Sequence, residues 1–262
     1  TIDDVIFISD SVNEAATKAG YQTFLPDPYM YRSAIRTRRR WKYGGTNVYK
    51  NVAKAVKMLV AFEYFLYNTS LPWLKYQDGD AYIFFDNYIR MMDDYTAAYP
   101  FPAAFTTPIV KGACTCDPFS GEYYSQGGTG LLLSRKAVEK LMENWKDHIY
   151  RFNNYEDRAI TELIKKMGVS LVNLSSTYFI GDPIVQTFKK NLDSGNFQGL
   201  PKCQEHPNTQ CAREFYYLNK VASVHKIDDY ASRIDKLIQS GAISDNIRFY
   251  HSSWSPRLCY ME

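Results

Sequence analysis

Four groups of residues in this chain have types and spacings suited to chemistry. Asp78-Gly79-Asp80 lies between Trp73-Leu74-Lys75-Tyr76, which reads as a strand, and a second apolar run over 81–85. Carboxylates at i and i+2 on a turn can hold one hard divalent cation, and such a cation can neutralise a diphosphate. Asp-Gly is equally a favoured turn pair. Gly127-Gly128-Thr129-Gly130 precedes Leu131-Leu132-Leu133. Three glycines in four residues let backbone approach a sugar or phosphate closely, or form a tight turn or bulge. No Lys-Ser/Thr follows, so this is not a phosphate-binding P-loop. Glu156 and Asp157 open a helical segment, where the helix dipole and capping favour acids for local reasons. A carboxylate there can also accept a proton from a hydroxyl nucleophile. His251, between Tyr250 and Ser252 in the C-terminal tail, is either a surface histidine or a metal ligand. The basic run Arg36-Thr37-Arg38-Arg39-Arg40 reads as a solvated loop, because no nucleic-acid motif accompanies it.

The elements that must position these groups alternate between strand and helix. Val5-Ile6-Phe7-Ile8 is a run of β-formers ending at Ser9-Asp10, as in a buried parallel strand feeding a loop. Residues 21–47 are polar and broken by Pro26, Pro28 and Gly44-Gly45, and read as irregular. Val48, Val52, Ala55, Val56, Leu59, Phe62 and Leu66 keep helical spacing, which predicts one long helix over 47–67. A helix over 86–95 follows the second apolar run, and 100–126, with its prolines, reads as strands and loops. Ser134 can cap a helix to about Asp147. A further helix runs from Glu156 to Met167 and stops at Gly168, ahead of candidate strands at 169–172 and 178–180. Residues 190–262 read as loop-rich with one amphipathic helix near 227–240. The pattern predicts an α/β fold with a mostly parallel sheet flanked by helices, whose ligands sit beyond the carboxyl ends of the strands.

Composition sets bounds without naming a function. The 262 residues carry 31 Lys+Arg against 28 Asp+Glu, a formal charge of +3, with 45% hydrophobic and 23% charged residues. That excludes a disordered, collagen-like or disulfide-miniprotein chain. At 16%, aromatic content exceeds what a core of this size needs, so some rings are expected to line a recognition surface. The longest mostly apolar stretch, Met58 to Tyr67, carries Glu63 and reads as a buried helix, not a membrane span. The five cysteines (Cys114, Cys116, Cys203, Cys211, Cys259) form no C-x-x-C pair, so disulfides with one thiol left over are expected. The sequons at Asn68 and Asn173 agree with a secretory compartment.

Taken in order, the pieces resemble the Fringe-like and core 1 β1,3-glycosyltransferases. Ser9-Asp10 resembles the Ser/Thr-Asp that ends a strand of that family, and Lys54-Ala55-Val56-Lys57 its lysine-bearing helix. Trp73 to Tyr82 with Phe85-Asp86-Asn87 is similar to its Trp-containing strand and Asp-Asp-Asp-x-Tyr motif, with Gly79 in place of the middle Asp. Gly127-Gly128-Thr129-Gly130 with Leu133-Ser134 resembles its glycine signature, and Glu156-Asp157 the element carrying its base. The resemblance implies a single GT-A type domain: 1–77 as the nucleotide-binding half, 78–189 as the metal, acceptor and base region, and 190–262 as an extension. It implies a metal-dependent inverting transfer from a UDP-sugar to a hydroxyl of a glycan or glycoprotein acceptor, forming a β1,3 linkage. Asp157 would be the base; Asp10, Lys54, Asp78, Gly127 and Gly128 would contact the nucleotide; Asp78, Asp80 and His251 would hold Mn²⁺ or Mg²⁺. The family has a strand and helix ahead of Ser9-Asp10, so an additional N-terminal segment or chain is expected to complete the sheet. The expected location is the ER or Golgi lumen, from a membrane-anchored precursor, or the extracellular space. A noncatalytic binding module on the same fold is the alternative. A nucleotidyltransferase is disfavoured by the absence of an early glycine- and lysine-rich loop.

Overall fold

The computed structural model describes residues 5–9, 11–12, 14–28, 48–98, 102–112, 114–116, 123–125, 127–149, 156–169, 171–173, 178–180, 184–194, 211–217, 221–240 and 248–254. In chain order these form β1 (Ile6–Ile8), α1 (Glu14–Lys18), β2 (Gln22–Phe24), α2 (Val48–Asn68), β3 (Trp73–Tyr76) and β4 (Tyr82–Ile83). Next come α3 (Phe85–Ala98), α4 (Ala103–Thr106), β5 (Val110–Gly112), β6 (Cys114–Cys116), β7 (Tyr123–Ser125) and β8 (Leu131–Ser134). The rest comprises α5 (Arg135–Ile149), α6 (Glu156–Lys166), β9 (Leu171–Asn173), β10 (Phe179–Ile180), α7 (Ile184–Ser194), β11 (Cys211–Tyr217) and β12 (Ser223–Val224). A 3-10 turn at Asp228–Tyr230 leads into α8 (Ala231–Gln239), and β13 (Arg248–Trp254) ends the described chain.

The fold is mixed α/β, and the expectation of a mostly parallel sheet needs correcting. β1/β2, β5/β9 and β10/β12 are parallel, whereas β4/β12, β6/β7 and β11/β13 are antiparallel. The chain divides into two compact units, one of Thr1–Leu74, Ala104–Ile109 and Leu133–Ser170, the other of Lys75–Ala103, Val110–Leu132 and Leu171–Glu262.

In the first unit α2, α5 and α6 pack on one another. The helical stripe of α2 buries Val56, Leu59 and Phe62, and the facing helices bury Val138, Leu141, Trp145, Ile160, Leu163 and Ile164. The Phe62 and Trp145 rings meet at 5.7 Å, tilted by 60°. Ser134 caps α5 as its position suggests: its Oγ accepts from Ala137 N–H (3.2 Å) and Ile109 N–H (2.9 Å) and donates to Thr107 C=O (2.9 Å). The next residue closes the other end of α2. Arg135 donates to the carbonyls of Leu66 (2.7 Å), Leu71 (3.2 Å) and Phe65 (3.4 Å), with its guanidinium 5.2 Å from the Phe65 ring. A helix C-terminus leaves carbonyls without intrahelical donors, and a cation there satisfies them and the dipole together. Arg135→Met keeps the stem but removes every donor, so stability is expected to fall by about 2 kcal/mol. A lower urea midpoint at constant m would show it, and an unmoved midpoint would contradict it.

The second unit is built on β10-β12-β4. One apolar cluster joins Val185, Phe188 and Leu192 of α7 with Val221, Val224, Ile227 and Ile234; another joins Tyr88 and Met91 of α3 with Phe179 and Ala222. Arg233 fastens α8 to the end of α7, bonding Asp193 Oδ1 at 2.7 Å and Leu192 C=O at 2.6 Å. Residues 190–262 hold more than the expected helix, because β11 and β13 form a seven-residue antiparallel ladder from Cys211↔Trp254 to Tyr217↔Arg248. Among the described residues no helix is long and apolar enough to cross a membrane.

Candidate metal centre

The pairing of β4 with β12 creates the site. Tyr82 faces Val224 and Ile83 faces Ser223, so the residue after Val224, His225, arrives beside the chain just ahead of Tyr82. That chain is the Asp78–Asp80 turn, closed by Ala81 N–H donating to Asp78 C=O at 3.3 Å. Ile227 N–H donates to Asp80 C=O at 3.1 Å and fixes the two segments together. Lys226, between His225 and Ile227, adopts φ 57°. A left-handed conformation in a lysine costs on the order of 1 kcal/mol, and here it lets neighbouring residues reach the same turn, one through its ring and the other through its amide.

His225 Nε2 is 3.2 Å from Asp80 Oδ1 and 3.7 Å from Asp78 Oδ2. One ligand atom from each of the three residues lies within 4.8 Å of the others. Asp80 Oδ1 is buried and accepts no hydrogen bond among the described residues. A carboxylate oxygen removed from water without a donor is costly, and a divalent cation or a charged imidazole supplies what it lacks. Two carboxylates with one imidazole suit a cation that accepts both oxygen and nitrogen, which describes Mn²⁺ better than Mg²⁺.

The glycine turn backs this cluster. Gly130 N–H donates to Gly127 C=O at 3.0 Å, and residues 127–130 are all buried. A Cβ on Gly128 would overlap the His225 imidazole. Gly130 has φ 109°, and a Cβ there would lie 2.8 Å from Lys75 Cε. Gly79 is unlike either: a Cβ there meets nothing within 4 Å, so its place between the acids is not a steric demand. Gly128→Ala is expected to push the imidazole off the carboxylates and weaken Mn²⁺ binding by roughly 10–100-fold, the range seen when a ligand loses its support. Titration calorimetry with MnCl₂ checks this, and unchanged affinity would contradict it.

The remaining site expectations fall as follows. Asp78 and Asp80 meet each other and His225, a residue that the sequence reading passed over. Gly128 lies against the His225 ring, and Gly127 precedes it in the same buried turn. Asp157 is half-buried in the first turn of α6, in the first unit, with its backbone carbonyl accepting from Thr161 Oγ1 at 2.8 Å. Lys54 is half-buried on α2. His251 lies on β13 in register with Glu214, and its side chain is outside the described residues, as are Asp10 and the 36–40 basic run. Cys114, Cys116 and Cys211 are placed by backbone alone, on β6 and β11, and Cys203 and Cys259 lie outside the described residues.

The chain is 31% identical over 112 residues to the glycoprotein-N-acetylgalactosamine 3-beta-galactosyltransferase 1 of Xenopus laevis. The match covers 42% of this chain and 28% of the frog protein. No protein-family model matches the chain.

Proposed function

We propose that this chain carries a metal-dependent inverting glycosyltransferase of GT-A type, moving a sugar from a UDP-sugar to a hydroxyl of a glycan or glycoprotein acceptor through a β1,3 linkage. The carrying observation is the Asp78, Asp80 and His225 triad with its buried, donorless carboxylate oxygen, in a chain similar to a galactosyltransferase. Asp78, Asp80 and His225 would hold Mn²⁺. When bound, that ion neutralises the charge that gathers on a departing diphosphate. Asp157 takes the proton from the acceptor hydroxyl as the oxygen attacks the anomeric carbon from the face opposite the diphosphate, which inverts that centre. The reaction belongs in the lumen of the secretory pathway, in agreement with the likeness to a glycoprotein-modifying enzyme.

A panel of UDP-sugars tests this, with donor hydrolysis and acceptor transfer measured in Mn²⁺ and again after chelation. The expected result is turnover of one donor, lost in EDTA and restored by Mn²⁺. Absence of both turnover and UDP binding across the panel would overturn it in favour of a noncatalytic binding module. That second reading is favoured by Gly79, which leaves two acids where the resembled family has three.

A further inference from the structure

Lys75 is an unusual occupant of its position. It stands on β3 with its Nζ 4.6 Å from the Tyr88 ring centroid and 5.9 Å from that of Phe179. Tyr88, Phe179 and Met91 are buried in one apolar cluster, so the ammonium projects toward a core in place of an apolar side chain. Burial pulls its pKa down to about 7. Among the described residues no carboxylate pairs with it, although Asp78 and Asp80 follow closely in sequence. Its hydrogen-bond acceptor is Gln77 Oε1.

A charge held in apolar surroundings is destabilising unless its contacts secure something else. Two contacts here do so. Gln77 immediately precedes Asp78, so the Lys75–Gln77 bond fixes the backbone at the entry to the Asp78–Asp80 turn. Gly130 packs on Lys75 and on Gln77, since a Cβ at 130 would lie 2.8 Å from Lys75 Cε and 3.4 Å from Gln77 Cβ. At the other end of the same turn, Gly128 fits under the His225 ring. One lysine therefore supports the carboxylates through Gln77 and the imidazole through the glycine turn. We propose that Lys75 is a positioning residue for the metal centre, holding the Asp78–Asp80 turn and the Gly127–Gly130 turn in the spacing at which Asp78, Asp80 and His225 meet. This rests on the reading of that triad as a cation site.

Lys75→Met keeps the chain length and sits well between aromatic rings, but cannot donate to Gln77. Mn²⁺ affinity, measured by the electron paramagnetic resonance of free Mn²⁺, is expected to fall about tenfold or more, while the melting temperature stays level or rises because a buried charge has gone. Gln77→Met removes the acceptor and is expected to cost the same. The double variant is expected to be no worse than either single, since both break one link. Wild-type affinity in Lys75→Met overturns the proposal, as does a melting temperature that falls in step with affinity, or additive losses in the double variant. If Lys75→Met does not fold, Gln77→Met alone decides by the same affinity measurement. A wild-type protein that binds no Mn²⁺ removes the metal reading itself, an outcome distinct from the others.

Discussion

Replacing Asp80 by alanine is expected to abolish Mn²⁺-dependent UDP binding and sugar transfer together, while the protein keeps its melting temperature. Asp80 contributes the oxygen nearest to His225, 3.2 Å from Nε2, and that oxygen is buried without a hydrogen-bond donor among the described residues. Loss of a supporting group around a metal costs roughly 10–100-fold in affinity, and loss of a ligand from a set of three should exceed that. The fold should survive, because the contact between segments at this point runs through the Asp80 backbone carbonyl to Ile227 N–H, which alanine retains. Calorimetric titration of the variant with MnCl₂ and UDP gives the answer, and binding at wild-type strength would remove Asp80 from the site.

Asp157→Asn separates chemistry from binding. Asparagine matches aspartate in size and keeps a side-chain oxygen that accepts hydrogen bonds in the first turn of α6, and the bond from Thr161 Oγ1 goes to the backbone carbonyl of residue 157, which the variant retains. Structure and donor binding should therefore persist. Turnover should fall by roughly 10² or more, since the variant cannot accept the acceptor's proton. The loss should appear in kcat, with KM for the UDP-sugar little changed. Near-normal kcat would show that Asp157 serves the helix terminus and not the reaction.

The sequence made legible those elements whose stability is local. The α2 stripe runs through Ala55, Val56, Leu59 and Phe62, and its helix extends from Val48 to Asn68 against an expectation of 47–67. Ser134 caps α5 in its expected place. β11 and β13 were not legible, because Cys211–Tyr217 and Arg248–Trp254 find their partners across a long intervening segment and neither alternates cleanly. β2 was hidden by the prolines and polar residues around Gln22–Phe24. The helix α7 follows an Ile184, Val185, Phe188 and Leu192 spacing that periodicity could have found.

At the site, the carboxylates and the glycine turn stood out as motifs, whereas His225 sits in Val221-Ala222-Ser223-Val224-His225 with no flanking signature. It reaches Asp80 only through the antiparallel register of β12 on β4. Its one available signal was a histidine at the end of a short strand-like apolar run. The glycines were also legible as a close approach, but the nearest groups in the structure are the His225 ring and the Lys75 stem.

The identity of the histidine offers the most direct test of the metal site. Mn²⁺ binding to the purified protein should be measured by calorimetry for the wild type, His225→Ala and His251→Ala under identical conditions. One Mn²⁺ per chain is expected in the wild type and in His251→Ala, with binding largely lost in His225→Ala. Retained binding in His225→Ala, or its loss in His251→Ala alone, would contradict the assignment of Asp78, Asp80 and His225 as the metal centre.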